Sequence, residues 1–346
     1  MPDRASSQQT KKILVTGASG FIAGHCILDL LEHGYAVRGT MRNIERAEEL
    51  RSMFAKYTDK AERIEFAQTD LLSSEGWEAA ADGCDGLFHL ASPVPLVQPK
   101  NADELIRPAK EGALNALKAA KQAGIKRAVM TSSIAAVVYG HTDKSRVFTE
   151  ADWTNLEAPN GATPVVPYFQ SKTIAERSAW EYSKEAGIEL STVLPGVVLG
   201  PALESDYGTS LQLVVELMRR KYPLIPKVGF EVVDVRDVAS LHRLAFEKTE
   251  AQGRRFLCTS GFMPFKEVVE TLNAAYPSAH ISTIEMPNIL FNFLSHFMSE
   301  LGMVKGEGGK VKAADNSAAK SLGWRPRDPH EAILASAESL KDLGVL

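Results

Sequence analysis

The sequence predicts an α/β protein: a doubly wound parallel sheet with a smaller, mixed C-terminal lobe. Three observations carry this. Short β-branched runs alternate with helical patterns of about 12 residues or more, the signature of βαβ units. A glycine-rich turn follows the first run and opens the first helix. Beyond Pro195 the alternation loosens, and prolines cluster at Pro201, Pro223 and Pro226.

In chain order, residues 13–16 form the first strand, and residues 21–32 repeat apolar side chains at helical spacing until Gly34. Strand 35–41, a charged helix over 43–57 and strand 63–68 follow, the last ending at Asp70. Strand 85–91 is stopped by Pro93 and Pro95, and helix 102–123 closes at Gly124. Strand 126–132, helix 167–186 with Gly187 as its stop, and strand 190–194 complete the alternation. Right-handed crossovers wind these units into one sheet. Four more helices are expected near 210–220, 234–248, 264–276 and 329–343. Residues 1–195 therefore read as a dinucleotide-binding domain with a flexible tail at 1–11, and 196–346 as mainly a substrate lobe, some segments returning to the sheet.

Composition narrows the function. The 346 residues are 45% apolar and 24% charged, enough for a real core. Lys+Arg 39 against Asp+Glu 43 gives a net charge of −4, with no basic run for nucleic acid or an anionic membrane. Cys26, Cys84 and Cys258 lie far apart without a C-x-x-C, so neither a zinc site nor a disulfide framework is expected. Reduced thiols and a polar N-terminus point to a cytoplasmic protein. The most apolar later stretch, 289–298, holds Asn292, Ser295 and His296. It is too short for the roughly 20 residues a membrane helix needs. The eight histidines show no ligand spacing, so no metal is expected.

The first chemical motif is Thr16-Gly17-Ala18-Ser19-Gly20-Phe21-Ile22-Ala23-Gly24. Gly17 permits a tight turn, Gly20 lets backbone approach a pyrophosphate, and small Ala23 lets helix pack on strand. The helix N-terminus offers free N–H groups to phosphate. This is the Rossmann arrangement with G-x-x-G-x-x-A spacing. Gly17, Ser19, Gly20, Phe21 and Ile22 are its expected cofactor contacts. The second strand ends Val37-Arg38-Gly39-Thr40-Met41-Arg42-Asn43, with no acid for a ribose 2′-hydroxyl and two arginines. Arg42 at the strand end suits a 2′-phosphate, so NADP(H) is the expected cofactor. Alternation leaves Arg38 free to point elsewhere. Asp70-Leu71 after the third strand is placed for an adenine amine, although Asp70 also suits a helix cap. Ala91-Ser92 after the fourth lies toward the nicotinamide ribose.

The second motif is Tyr168-Phe169-Gln170-Ser171-Lys172. Positions i and i+4 share a helix face. A lysine there favours the phenolate and fits Tyr168 as a general acid. Thr131-Ser132-Ser133 ends the fifth strand, where a serine hydroxyl can hold a substrate oxygen, and either serine is available for it.

With these motifs in this order, the sequence resembles the extended short-chain dehydrogenase/reductases. Within them it is most similar to the dihydroflavonol-reductase branch, which includes microbial NADPH-dependent aldehyde and ketone reductases. The tail Ala319-Lys320-Ser321-Leu322-Gly323-Trp324 shares that look. The resemblance implies Ser133, Tyr168 and Lys172 as a catalytic triad, with Ser133 preferred over Ser132. It implies Arg42 on the 2′-phosphate, and Tyr168, Lys172, Pro195 and Val198 against the cofactor. A homodimer paired through helices flanking the sheet is a further expectation. The segment 158–166 departs from plant flavonoid and cinnamoyl enzymes.

The expected reaction is hydride transfer from NADPH to a small aldehyde or ketone, with Tyr168 as proton donor. Val94, Leu96, Tyr139, Phe169, Val197, Val198, Leu199, Tyr207 and Phe230 are candidate pocket residues. Two rivals stand beside this reading: a nucleotide-sugar epimerase or dehydratase that recycles bound NAD, and a non-catalytic NADP sensor. Gly306-Glu307-Gly308-Gly309-Lys310 mimics a phosphate loop but lacks its strand and its Gly-Lys-Ser/Thr; a mobile loop near the pocket is expected there.

Overall fold

A computed structural model describes residues 10–95, 97–143, 145–160, 162, 165–295 and 304–346. The first half runs β1 (Lys12–Thr16), α1 (Phe21–Glu32), β2 (Ala36–Met41), α2 (Ala47–Phe54), β3 (Ile64–Gln68), α3 (Trp77–Ala81), β4 (Gly86–His89), α4 (Asp103–Gln122), β5 (Arg127–Thr131), β6 (Ser145–Phe148), α5 (Pro167–Ala186) and β7 (Glu189–Pro195). The second runs β8 (Val197–Leu199), α6 (Gly208–Met218), β9 (Gly229–Asp234), α7 (Val235–Glu247), β10 (Arg255–Cys258), β11 (Gly261–Pro264), α8 (Phe265–Ala275), α9 (Asn288–Leu294), β12 (Val311–Ala314), α10 (Ser317–Ser321) and α11 (Pro329–Asp342).

The central sheet has seven strands in the order β10-β7-β5-β4-β1-β2-β3, all parallel. From β1 the chain builds outward through β2 and β3, then crosses back to β4 and builds the other way. The carboxyl ends of β1 and β4 thus flank the switch point, where open α/β sheets bind ligands. Both faces are covered, so the inner strands β4 and β5 are buried throughout, while edge strand β3 exposes Glu65 and Gln68. One face packs α1 and α7, with Cys26, Ile27, Leu30, Val238 and Leu241 in a common core. The other packs α4 and α5, whose alanines, including Ala113, Ala116, Ala175 and Ala179, allow close approach. A third core unites α6, α8 and α11 through Val214, Leu272 and Ile333. Fully burying side chains of this size contributes about 1.5–3 kcal/mol each.

Local sequence explains the two helices that matter most. α1 begins directly after Gly20 and buries Ala23 through Ile27 together with Leu30 and Leu31. α5 begins with Pro167, whose missing N–H is no loss at a first helical position, and ends at Gly187 in the left-handed region (φ 68°). Both match the sequence expectation end to end. Several elements differ from the sequence reading, three of them in or next to the central sheet. The expected helix 43–57 is broken: Asn43 accepts the Glu45 N–H at 3.0 Å and starts a short 3₁₀ turn before α2. The strand expected at 85–91 is shorter, because the Leu90 and Ala91 N–H groups turn away to the Thr16 hydroxyl. β10 joins the sheet edge beside β7, a strand the sequence reading did not place.

Two small sheets build the lobe. β9 lies between β11 (antiparallel) and β8 (parallel). β12 pairs parallel with β6, tying the C-terminal region to the loop before α5. Among the described residues no helix is long and apolar enough to cross a membrane, and no cluster of His, Cys, Asp and Glu suits a metal ion.

Candidate active site

A crevice of about 750 Å³ opens at the carboxyl ends of β1, β2, β3 and β4. It gathers Gly17, Ser19, Gly20, Phe21, Ile22, Arg42, Asp70, Leu71, Ala91 and Ser92, ten of the residues singled out for a cofactor. The glycine turn is shaped by close approach. Gly17 has φ +72°, and a Cβ there would sit 3.1 Å from Ala91. A side chain would therefore be strained and would push into the crevice wall. The turn is pinned by Gly20 N–H to Gly17 O (2.8 Å) and Ala18 N–H to Thr40 O (2.8 Å). No side chain caps α1, and its first turn carries no acid. Its N-terminal N–H groups and positive dipole end thus face the crevice, an arrangement that favours phosphate.

Thr16 and His89 set the crevice floor. The Thr16 hydroxyl oxygen accepts the N–H groups of Leu90 and Ala91, both at 3.0 Å. With its acceptor capacity used, its proton goes to His89 Nδ1, 3.0 Å away. His89 is therefore a neutral ring with its proton on Nε2. Burial agrees, pushing its pKa down to about 3, with the nearby Lys172 ammonium adding to the effect.

The two arginines of β2 part company. Arg38 is spent on structure: its guanidinium pairs with Glu65 at 2.7 Å and donates to the carbonyls of Ala79, Ala80 and Asp82. Arg42 lines the crevice, and its guanidinium pairs with no described acid. A recess of about 120 Å³ beside it is lined by Ser19, Met41, Arg42, Asn43, Arg46 and Leu50. Arg46 is a residue the sequence reading missed. The short 3₁₀ turn after Asn43 swings it back toward Arg42, held by Glu49 at 3.0 Å and Glu204 at 3.5 Å. Asp70 makes a turn rather than a helix cap: its Oδ1 accepts the Leu72 N–H at 2.8 Å. Asn115 fixes the same loop by donating to Leu71 O and Ser73 O.

The proton-handling residues meet at the ends of β5 and α5. The Ser133 hydroxyl accepts the Ala135 N–H at 3.1 Å and is near enough to the Tyr168 hydroxyl to pull its pKa down. The Lys172 ammonium lies 5.6 Å from the centre of the Tyr168 ring. Lys172 is 6% exposed, and it has no hydrogen bond or ion pair with the described residues. Burial lowers its pKa to about 8. Tyr168 goes the opposite way from the sequence expectation of a lowered pKa. Burial pushes the phenol up to about 12, only partly offset by the nearby Ser133 hydroxyl. Ser132, the rival hydroxyl, is turned inward and donates to Glu176 Oε2 at 2.6 Å.

Some candidates fall elsewhere. Ser133, Tyr168, Lys172, Pro195 and Val198 are not among the crevice-lining residues; Val198 is 5% exposed within the core. Of the pocket candidates, Val94 lines the crevice, Phe169 and Leu199 are closed in, and Leu96 lies outside the described residues. Val197 packs against the lobe core. Tyr139 stacks on Phe169 at 3.6 Å, Phe230 packs edge-on against Phe265, and the Tyr207 hydroxyl donates to Gln212 at 2.8 Å. Glu307, in the loop that mimics a phosphate binder, is buried and paired with Lys312 at 2.8 Å. Residues 1–9, Gly161 and Pro164 also lie outside the described residues. Thr209 and Ser210, at the start of α6, line the crevice. Nothing in the sequence pointed to them, because they come from the lobe.

A glycine cradle and an uncapped helix at the switch point of a doubly wound sheet define a dinucleotide-binding class. Residues 13–258 match the model of a family described as the NAD dependent epimerase/dehydratase family. Tetraketide alpha-pyrone reductase 1 of Arabidopsis thaliana is 37% identical over 279 residues, 79% of this chain and 84% of that protein. Cinnamoyl-CoA reductase 1 of the same plant is 36% identical over 284 residues, 82% of this chain and 80% of that protein. Among solved structures, the yeast methylglyoxal/isovaleraldehyde reductase Gre2 complexed with NADPH has a TM-score of 0.79 at 28% identity, covering 97% of this chain and 100% of that one. The chain belongs to this epimerase/dehydratase family, the extended short-chain dehydrogenase/reductases.

Proposed function

We propose that this chain is an NADPH-dependent carbonyl reductase that converts a small aldehyde or ketone to the alcohol, with Tyr168 as the proton donor. The carrying observation is the convergence of Ser133, Tyr168 and Lys172 at the end of β5 and the start of α5, together with a crevice-lining Arg42 that pairs with no described acid. The named reductases among its relatives support the same reading. Residues 1–195 hold the cofactor, and the C-terminal residues supply most of the substrate side.

The residues present fit NADP(H). Gly17, Gly20 and the start of α1 receive the pyrophosphate, Arg42 and Arg46 the 2′-phosphate, and Lys172 a ribose hydroxyl. The bound cofactor supplies the hydride that reduces the carbonyl carbon. Tyr168, protonated across the neutral range because burial holds its pKa near 12, gives its proton to the carbonyl oxygen. Ser133 donates to that same oxygen and steadies the charge that develops there. Lys172 places an ammonium beside the phenol, which eases loss of its proton. The basic recess weighs against the NAD-recycling epimerase, which calls for an acid at the end of β2. Tyr168 itself weighs against a non-catalytic sensor.

Purified protein mixed with NADPH and a panel of aldehydes and ketones is expected to consume NADPH, read as falling absorbance at 340 nm. No turnover of any carbonyl, with NAD retained through purification, contradicts the reading. Arg42→Ala is expected to raise the KM for NADPH about 10- to 100-fold, the loss of a charge-assisted bidentate contact. Its KM for NADH moves little. Equal effects on both cofactors speak against a 2′-phosphate site.

Lys172 adds a pH dependence. Its folded pKa is lowered to about 8, so in the ligand-free protein the ammonium is present below that pH and lost above it. NADPH binding, followed by fluorescence titration between pH 6 and 10, is expected to weaken as pH rises through about 8. Lys172→Met removes that step. A Kd that stays flat across this range in the wild type contradicts the assignment.

A further inference from the structure

Gln98 stands in the loop between β4 and α4, beyond the crevice-lining Pro93, Val94 and Pro95. Its side chain reaches the first turn of α5, 70 positions away, where Oε1 accepts the backbone N–H of Tyr168 at 3.0 Å. Val166, at the N-cap position of α5, offers no side-chain bond. Gln98 therefore satisfies one of the orphan donors of this helix from outside, at the residue that bears the phenol.

A carboxamide has two ends. Nε2 of Gln98 is shut away from water and has no hydrogen-bond partner. Flipping the amide does not relieve this, because it would set nitrogen against the Tyr168 N–H, donor against donor. The orientation is thus fixed by Tyr168, and an unfilled donor is held against the first turn of α5, at the residue that bears the phenol. Buried donors without partners are uncommon, and one that stands three residues beyond the crevice-lining Pro95 calls for a ligand atom.

Resting on the reductase reading, we propose that Gln98 is a substrate-binding residue. Its Nε2–H donates to a second oxygen on the carbonyl compound held at Tyr168. The substrate class is carbonyl compounds with a further hydrogen-bond acceptor, such as diketones or hydroxyketones. A ketone with only a hydrocarbon tail leaves the donor empty. Sites built to hydrogen-bond a substrate group discriminate strongly against analogues without it.

The test uses two matched pairs, 2,3-butanedione with 2-butanone and 1-phenyl-1,2-propanedione with propiophenone. The readout is the diketone-to-ketone ratio of kcat/KM with NADPH. Gln98→Glu keeps an oxygen for the Tyr168 N–H and removes the donor; Gln98→Met, of similar length, removes both. Damage to α5 alone lowers both members of a pair alike and leaves the ratio in place. The expected result is a ratio lower by about tenfold or more in both variants. An unchanged ratio in variants that still turn over overturns the role of Gln98 and leaves the reductase reading standing. Wild-type protein that reduces none of the four compounds removes both.

Discussion

Replacing Tyr168 with Phe is expected to lower kcat for carbonyl reduction about 100- to 10,000-fold, the range over which a positioned general acid contributes. The substitution removes one oxygen and little else. The ring keeps its edge-on packing against Phe169, at 6.0 Å between centroids, and the backbone N–H keeps its bond to Gln98. What disappears is the proton that burial retains on the phenol and the interaction of its oxygen with Ser133. NADPH affinity should fall by no more than about tenfold, the worth of one hydrogen bond. Thermal unfolding should stay close to wild type. Steady-state kinetics with fluorescence binding separates these effects. Wild-type kcat in Tyr168→Phe, with binding intact, is incompatible with phenol-mediated protonation.

Glu176→Gln is expected to cost about 3–5 kcal/mol of folding stability, the usual penalty for removing one partner of a buried ion pair. Glu176 is 0% exposed. Its Oε1 accepts from Arg255 Nε (2.8 Å), Thr192 (2.8 Å) and Trp180 Nε1 (3.2 Å), and its Oε2 from Ser132 (2.6 Å) and Arg255 Nη2 (3.1 Å). Arg255 also donates to Glu150 O and Asp152 O and lies 3.7 Å over the Trp153 ring. A carboxamide has one acceptor oxygen, and its NH₂ would face donors. The Arg255 charge would then be buried without its counterion. Urea denaturation, with the midpoint and slope compared with wild type, checks this. A change under about 1 kcal/mol, the value of an exposed pair, contradicts it. The network also explains the neighbouring serine. Because Glu176 takes the Ser132 proton, Ser133 is the hydroxyl left to face Tyr168.

Most of the crevice was legible in the sequence because it is local. The glycine turn, the end of β2, Asp70-Leu71 and Ala91-Ser92 each follow a strand whose own pattern is readable, and parallel winding brings such ends together. The boundaries of α1 and α5 were legible for the same reason: glycine and proline mark them directly. What escaped was set by distant contacts. β6 and β12 are four residues each, and they become strands by pairing with each other across the chain. Arg46 reaches its recess because Asn43 breaks a helix that charge patterning would continue. The strand-end place of Arg42 was readable, but the partner of Arg38 was not: register against β3 sets it opposite Glu65. Gln98 carried no signal, since its partner is a backbone N–H far along the chain. The pKa of Tyr168 was misjudged because helical spacing reveals a nearby lysine but not the burial that outweighs it.

The most direct test follows the hydride itself. Wild-type protein is incubated with NADPH deuterated at the transferred C4 position and a reducible aldehyde or ketone, and the product is analysed by mass spectrometry and NMR. The expected result is one deuterium on the carbinol carbon, one per NADPH consumed. An alcohol without deuterium, or a product formed with no net NADPH consumption, contradicts direct transfer to a carbonyl in this crevice.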